Sequence, residues 1–201
     1  MKKILLSLFI IYGLTTSAFS QQNNEVFVSK AEFYTSNNCG YVNIIFNDLV
    51  TVNEILIKSI NGKKVPEFPR YINNSGKIYE QVKVVNRKLY ESIVKILETE
   101  TPVSINSGYK EINYEITKFS ILKKSKSSLK AFAEVTFDGS LSVECKVFEG
   151  KNGSWISWPA RKEGNSWVKL VFLRKKYKEK IEKILLKRYA DIKSEAYNGW
   201  E

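Results

Sequence analysis

Histidine is absent from this chain of 201 residues, and cysteine occurs only twice. Without histidine the chain has no imidazole to act as a general base, to activate a serine or cysteine nucleophile, or to bind a metal ion. Two thiols are too few for a zinc or iron–sulfur site built from cysteines within one chain. The composition therefore excludes most familiar catalytic centres, and we expect no cofactor and no metal site.

Acidic residues are outnumbered, with 21 Asp plus Glu against 32 Lys plus Arg and a net charge of +11. Residues 21–110 hold 11 basic and 9 acidic side chains, whereas residues 111–193 hold 19 and 10. The hydrophobic fraction of 43% is enough to bury a core, which excludes a disordered chain. The basic excess attracts acidic partners without identifying them, and most of it lies in the second half of the chain.

The first twenty residues have the pattern of a secretory signal peptide. Lys2 and Lys3 precede an apolar run over residues 4–14, and small residues follow at Ala18 and Ser20. The run is shorter than the roughly 20 apolar residues of a membrane-spanning helix. We therefore predict a signal peptide over residues 1–20, an exported protein (periplasmic or extracellular) and no membrane span after cleavage. The alternative is a cytoplasmic protein that keeps the apolar run.

The two cysteines permit two interpretations. An exported chain allows a disulfide between Cys39 and Cys145. Cys39, however, lies in a turn-like segment, and Cys145 alternates with polar residues on the apolar side of a predicted strand. The pattern favours one exposed thiol and one buried thiol, and leaves pairing open.

The rest of the chain contains an internal repeat with an offset of 88 to 90 residues. The sequence Val28-Ser29-Lys30 corresponds to Ile116-Thr117-Lys118, and Phe68-Pro69 corresponds to Trp158-Pro159. Ile93, Ile96 and Leu97 recur as Ile181, Ile184 and Leu185. A period this long indicates two copies of a small domain. We predict domains over residues 25–100 and 111–193, joined by a linker over residues 101–110.

The pattern predicts that each copy is an α+β unit, a small antiparallel β-meander closed by a C-terminal helix. In the second copy, strands are predicted over residues 114–122, 130–137, 141–148, 155–158 and 167–173, with Asp138-Gly139 as a hairpin turn. A helical period then places six side chains on one apolar face: Tyr177, Ile181, Ile184, Leu185, Tyr189 and Ile192. The first copy ends in a helix over residues 87–100, with Asn86 as its N-cap and Leu89, Ile93, Ile96 and Leu97 facing inward.

Residues 114–189 resemble the SpoVG family, the stage V sporulation protein G or septation regulators. The matching segments are Val147 to Gly153, with the sequence VFEGKNG, and Trp158-Pro159-Ala160-Arg161-Lys162. The first copy is similar more faintly, through Val52-Asn53-Glu54-Ile55 and Phe68-Pro69. The resemblance implies an α+β domain that pairs with a second copy, so that two copies in one chain form an intramolecular pseudo-dimer. It also implies a nucleic-acid-binding regulator linked to septation and sporulation.

Two groups of basic residues are candidates for binding nucleic acid or another polyanion. By the resemblance, Arg161 and Lys162 contact the polyanion, with Arg174 and Lys175 at the helix start as second choices. On the last helix, lysines at i, i+4, i+7 and i+11 form one stripe: Lys176, Lys180, Lys183 and Lys187. Cations at a helix N-terminus oppose the helix dipole, which makes a bound anion there more plausible. The alternative is an ordinary solvated surface.

The aromatic residues of the second copy suit packing better than stacking on bases or sugars. Trp155 and Trp167 fall in predicted strands and Tyr177 and Tyr189 on the apolar helix face, so we expect all four in the core or at an interface. Trp158, before a proline at a strand end, fits either role.

No catalytic constellation stands out. Asp138, Glu144, Glu149 and Glu163 occur without a spacing that places two of them on one face, and no phosphate-binding loop occurs. The sequence therefore favours a non-enzymatic polyanion-binding module. The alternative is a module that binds a protein or an envelope polymer through the groove between the two copies.

Overall fold

A computed structural model describes residues 25–105, 111–122 and 125–198 of the chain. The predicted signal peptide over residues 1–20 and residues 106–110 of the predicted linker lie outside the described residues. We refer to residues 25–105 as the first half and to residues 111–198 as the second half.

In both halves, seven strands, mostly antiparallel, precede a helix, and the first half has an additional short strand after its helix. The first half consists of β1 Val28–Ser36, β2 Cys39–Phe46, β3 Val50–Ile60, β4 Lys63–Glu67, β5 Arg70–Ile72, β6 Ile78–Glu80, β7 Val82–Val84, α1 Arg87–Thr99 and β8 Val103–Ser104. The second half consists of β9 Tyr114–Ile121, β10 Leu129–Phe137, β11 Leu141–Gly150, β12 Gly153–Ser157, β13 Ala160–Glu163, β14 Ser166–Lys169, β15 Val171–Leu173 and α2 Lys175–Asn198. The α+β class predicted from the sequence is confirmed.

Each half builds an antiparallel sheet that is completed by a strand from the other half. In the first half β1, β2, β3 and β4 pair in order, and β15 of the second half pairs with β3. In the second half β9, β10, β11 and β12 pair in order, and β7 of the first half pairs with β11. The short hairpins β5–β6 and β13–β14 form two separate ribbons. The predicted meander within one copy is therefore wrong for its last strand, because residues 167–173 split at Leu170 and β15 pairs across the halves.

Backbone hydrogen bonds repeat this exchange in both directions. The amide of Asn53 donates to the carbonyl of Leu170 over 2.8 Å, and the amide of Glu144 donates to Gln81 over the same distance. Likewise Arg174 donates to Leu49 over 2.9 Å and Val85 donates to Ser140 over 2.8 Å. Buried backbone groups need partners, so neither half satisfies its own third strand without the other half.

The turns follow the residues that tolerate left-handed backbone conformations. Asp138 and Gly139 join β10 to β11 with φ angles of 43° and 60°, as the hairpin signal predicted. In the corresponding turn of the first half, Asn47 and Asp48 have φ angles of 50° and 56°. Asn and Asp adopt this conformation at lower cost than other non-glycine residues. The same hairpin is therefore made with two different turn sequences.

Both helices lie against the sheet through the face predicted from their periodicity. Leu89, Ile93 and Leu97 of α1 are buried, and the Asn86 side chain caps α1 by accepting from the Leu89 amide. On α2 the buried positions are Tyr177, Ile181, Leu185 and Tyr189. The prediction was wrong for Ile184, which is 43% exposed, because no described strand covers that side of α2.

The predicted linker contributes a strand. Residues Val103 and Ser104 form β8, which pairs with the outer edge of β1 opposite Ala31 and Lys30. The rest of the predicted linker, over residues 106–110, is outside the described residues. Neither helix in the described part of the chain is both long enough and apolar enough to cross a membrane.

Both thiols are unpaired in the fold. Cys39 is exposed at the start of β2, whereas Cys145 is buried among the core residues of β11. Burial raises the pKa of the Cys145 thiol to about 12. The interpretation of one exposed and one buried thiol is confirmed.

Substitutions at two adjacent positions of α2 should have different effects on the free energy of unfolding. Leu185→Ala removes a fully buried side chain and should lower the free energy of unfolding by about 2–5 kcal/mol. Ile184→Ala, at an exposed position, should change it by no more than about 0.5 kcal/mol. Urea denaturation of both variants measures the difference, and equal losses would contradict the orientation of α2.

The two thiols should differ in reactivity toward a thiol reagent at neutral pH. Cys39 should be modified in the folded protein, whereas Cys145 should react only after unfolding, because it is buried and protonated. Mass spectrometry of labelled peptides, with and without denaturant, identifies the modified residue. Rapid labelling of Cys145 in the folded protein would contradict its placement in the core.

Candidate functional site

Arg161 in the β13–β14 hairpin is engaged with a carboxylate of the other half. Its Nε and Nη2 atoms donate to the two oxygens of Glu54 over 2.8 and 3.1 Å. A second carboxylate, on Glu163, lies 3.4 Å from the guanidinium. The paired carboxylate of Glu54 raises the pKa of Arg161 further above its ordinary value. Of the predicted polyanion contacts, Arg161 is thus part of a bond between the halves.

Glu54 is held in an uncommon backbone conformation where it meets Arg161. It is the extra residue of a bulge in β3, with a φ of 58°. The side chain of Asn43 accepts a hydrogen bond from the Glu54 amide over 3.0 Å. A non-glycine residue in this region costs of order 1 kcal/mol, which the surrounding structure has to offset. The bulge aims a carboxylate at the β13–β14 hairpin of the second half.

The other predicted basic residues do not converge on one point. Lys162 is exposed on β13 and pairs across the hairpin with Trp167. Lys175 lies at the start of α2, where Arg174 also donates its backbone amide to Leu49. The stripe of Lys176, Lys180, Lys183 and Lys187 is solvent-exposed along α2, and Lys180 forms an ion pair with Glu111. Only Lys175 lies in the groove described next.

An aromatic and basic groove of about 670 Å³ opens between β12, β14, β15 and the start of α2. Its exposed aromatic side chains are Trp155, Trp167 and Phe172, with exposed fractions of 48%, 68% and 43%. Trp155 stacks on Phe148, with ring centroids 5.6 Å apart and planes 13° apart. We call this the aromatic groove.

Three lysines line the aromatic groove together with the exposed rings. Lys169, Lys175 and Lys178 belong to its wall, and Lys169 lies 5.7 Å from the centre of the Phe172 ring. None of the described residues that line the groove carries a carboxylate. Lys175 and Lys178 belong to the first turn of α2, which contains no acidic residue to balance the positive end of the helix dipole. The groove therefore offers flat apolar faces beside positive charge.

The prediction that Trp155 and Trp167 pack in the core or at an interface was wrong. Trp155 lies on β12, the terminal strand of the second sheet, and Trp167 lies on β14 of a two-stranded ribbon. Both side chains are about half exposed or more among the described residues. Trp158 is buried instead, and its indole Nε1 donates to Glu182 over 2.8 Å. Tyr177 and Tyr189 are buried as expected. Lys169, Lys178 and Phe172 were not singled out from the sequence. The signal that could have identified Lys169 is its spacing of two residues from Trp167, which places both side chains on one face of a strand.

The first half contains a groove at the equivalent position with different chemistry. It has a volume of about 560 Å³ and is lined by residues of β4, β6 and β7. Where the aromatic groove has Trp155, Trp167 and Phe172, this groove has Val65, Ile78 and Lys83. Glu80 takes the place of Lys169. The two grooves thus differ in chemistry: the groove of the first half has more aliphatic side chains and both signs of charge, whereas the aromatic groove has exposed tryptophans and lysines without carboxylates.

Two carboxylates share one face of the second sheet, which the sequence spacing did not indicate. Glu134 and Glu144 are directly opposite each other on β10 and β11. Burial raises the pKa of Glu144. Burial also acts on Glu134, but hydrogen bonds from Lys118 and Thr117 and the charges of Lys83 and Lys118 outweigh it and lower the pKa.

The environment of these carboxylates is an ion-pair network. Lys83 and Lys118 lie 3.4 and 3.3 Å from the Glu134 carboxylate. In the part of the chain that the structure describes, no cluster of three metal-binding side chains occurs. The network joins β7 of the first half to the second sheet.

The sequence comparisons match the second half of the chain to a known family. The sequence profile of the SpoVG family matches residues 114–191. The chain is 37% identical over 81 residues to the septation protein SpoVG of Archaeoglobus fulgidus, which covers 38% of this chain and 95% of the relative. It is 35% identical over 89 residues to the septation protein SpoVG of Clostridium novyi, covering 42% of this chain and 89% of that relative. No solved structure matches the chain significantly.

The match spans nearly the whole length of these relatives and contains β9 to β15 and most of α2. It therefore includes the aromatic groove and the β13–β14 hairpin. With this coverage and identity, the chain belongs to the SpoVG family.

Proposed function

We propose that this protein is a non-enzymatic SpoVG-family module that binds a polyanion carrying planar rings, with single-stranded nucleic acid as the best fit. The observation that carries the proposal is the aromatic groove, where three exposed rings and three lysines face one concavity. Each base stacked on an aromatic side chain contributes about 1–3 kcal/mol. Lysines beside the rings release counterions from the phosphates and add affinity that falls as salt rises.

The two halves act in this proposal as an intramolecular pseudo-dimer. The reciprocal pairing of β7 with β11 and of β15 with β3 supports it, as do the matched backbone hydrogen bonds. The second half supplies the binding surface, since most of the basic excess and all three exposed groove aromatics belong to it. The first half holds that surface in place through Glu54 and β3.

The predicted contacts divide into two roles. Arg161 orients the β13–β14 hairpin through Glu54, so a polyanion has to compete with a bidentate ion pair for its guanidinium. Lys175 lines the aromatic groove, and Lys162 is exposed on β13 opposite Trp167; both contact the polyanion directly. The helix lysines Lys176, Lys180, Lys183 and Lys187 extend the positive field without lining the groove. A role in septation follows from the names of the relatives.

A second candidate function is recognition of a protein or an envelope polymer in the cleft between the halves. This cleft has a volume of about 530 Å³ and is lined by both hairpins. Tyr71 of the first half lies there with the ammonium of Lys146 5.1 Å from its ring centre. Binding that is insensitive to salt would favour this candidate over the polyanion.

Binding to a fluorescent oligothymidylate tests the aromatic groove. Trp155→Ala with Trp167→Ala should weaken affinity by about tenfold or more, because two stacking faces are lost. Lys169→Gln with Lys175→Gln should reduce the slope of log affinity against log salt by about 1.4, at about 0.7 per phosphate contact. Fluorescence anisotropy between about 50 and 200 mM salt measures both quantities.

The equivalent groove of the first half provides the matched control. Val65→Ala with Ile78→Ala should change affinity by less than about twofold. Equal losses in both double variants would mean that the effect is not specific to the aromatic groove. If Arg161→Ala with Lys162→Ala leaves affinity and salt slope unchanged, the assignment of these two residues is wrong.

We also propose that the protein is exported. The compartment determines which polyanions are accessible to the protein. The amino-terminal pattern predicts cleavage after Ser20, so Edman sequencing of the protein purified from its native cells should begin at Gln21. A sequence that begins at Met1 would instead support a cytoplasmic regulator that keeps the apolar run. Whole-cell fractionation provides an independent control.

A further inference from the structure

The outer edge of the sheet is paired with a further strand in the first half, but not in the described part of the second half. In the first half, β8 pairs with β1 through Ala31 and Val103, and the Ile105 amide donates to the Ser29 carbonyl over 2.8 Å. In the second half, β9 is the terminal strand of its sheet, and no described strand pairs with its outer side. An unpaired strand edge is a template for an additional strand.

The two edges have the same local geometry. A bulge interrupts β1 at Ser29 and β9 at Thr117, as the register shifts show. Each of these residues donates its hydroxyl to the neighbouring strand, Ser29 to Ile45 over 3.1 Å and Thr117 to Glu134 over 3.3 Å. Lys118 and Phe119 on β9 therefore correspond to the two residues of β1 that pair with β8.

The flank of α2 beside β9 leaves an apolar side chain uncovered. Lys180 reaches Glu111 just before β9, and the Arg188 guanidinium lies 5.4 Å from the ring centre of Phe119. Ile184 lies one helical turn from each of them on the same stripe and is 43% exposed. Its equivalent on α1, Ile96, is partly buried against the core, as is Val103 of β8. Among the described residues, no segment gives α2 the apolar cover that β8 provides in the first half.

We propose that the outer edge of β9 binds an extended acidic peptide as an added strand, with a β-branched side chain over Ile184. Within this chain, Val103 and Ser104 of β8 provide the template for the added strand, and the end of α1 just before them carries Glu98 and Glu100. Lys118, Lys187 and Arg188 supply positive charge along the edge and the flank of α2. The peptide gains main-chain hydrogen bonds from β9 and buries Ile184.

The same features oppose pairing between two copies of this chain. Edge-to-edge pairing of β9 with itself would bring two basic flanks together, which like-charge repulsion disfavours. The bulge at Thr117 also twists the edge, and such bulges in edge strands limit open-ended pairing. A short acidic segment meets neither obstacle.

A synthetic peptide with the sequence of residues 98–105 tests the proposal on the full chain. Isothermal titration calorimetry should show that the peptide binds the full chain. Ile184→Glu should weaken the affinity for the peptide by at least about tenfold, because it removes the apolar contact and repels the acidic peptide. The matched control is Ile60→Glu, at another exposed isoleucine, which should change affinity by less than about twofold. A peptide with Val103→Pro should lose binding, because proline cannot donate to the added ladder.

Hydrogen exchange locates the peptide. We expect slower exchange of backbone amides within β9 and no change within β1. The proposal is overturned by the absence of binding, by equal effects of the two glutamate variants, or by protection confined to β1. A concentration-dependent dimer whose β9 amides are protected without peptide would also overturn it, since a second copy would then occupy the edge.

Discussion

The exchange of one short strand between the halves is the interaction on which the rest of the structure depends. β7 and β15 contribute three residues each, and each completes the sheet of the other half. Because each exchanged strand leads directly into a helix, the exchange also fixes where α1 and α2 begin. A single hydrophobic cluster runs through residues of both halves as a result. Separation of the halves would expose two sheet edges and that cluster together.

The two halves place different side chains on a similar arrangement of strands. The grooves at equivalent positions keep their shape because β4 and β12, β6 and β14, and β7 and β15 occupy equivalent places. Their side chains have diverged to aliphatic in the first half and to aromatic and basic in the second. Glu54 shows the supporting role most directly, since a bulge that β11 lacks presents its carboxylate to Arg161. The open edge of β9 is a second asymmetry on the same frame.

Much of the fold could be predicted from local patterns. The Asp138-Gly139 hairpin, the Asn86 cap and the buried face of α1 each depend on a few neighbouring residues, and all three are confirmed. Predictions that required knowledge of the opposing layer were less accurate. Trp155, Trp167 and Ile184 are apolar residues that the period assigns to packing, yet all three are largely exposed among the described residues. Of the candidate site, only Lys175 among the predicted basic residues lines the aromatic groove.

The sequence by itself determined the α+β class, the main turns and helices, and the family, because turn residues, hydrophobic periods and family motifs are local features of the sequence. Only the tertiary structure decided which strands pair across the halves, because no sequence feature of β7 or β15 indicates its partner strand. It also decided that Glu134 faces Glu144 and that Arg161 meets Glu54, contacts between residues on separate strands. Burial of a side chain depends on which element packs against it in space. The hydrophobic period of a sequence predicts the apolar face of a strand or helix, but it does not predict which element packs on that face.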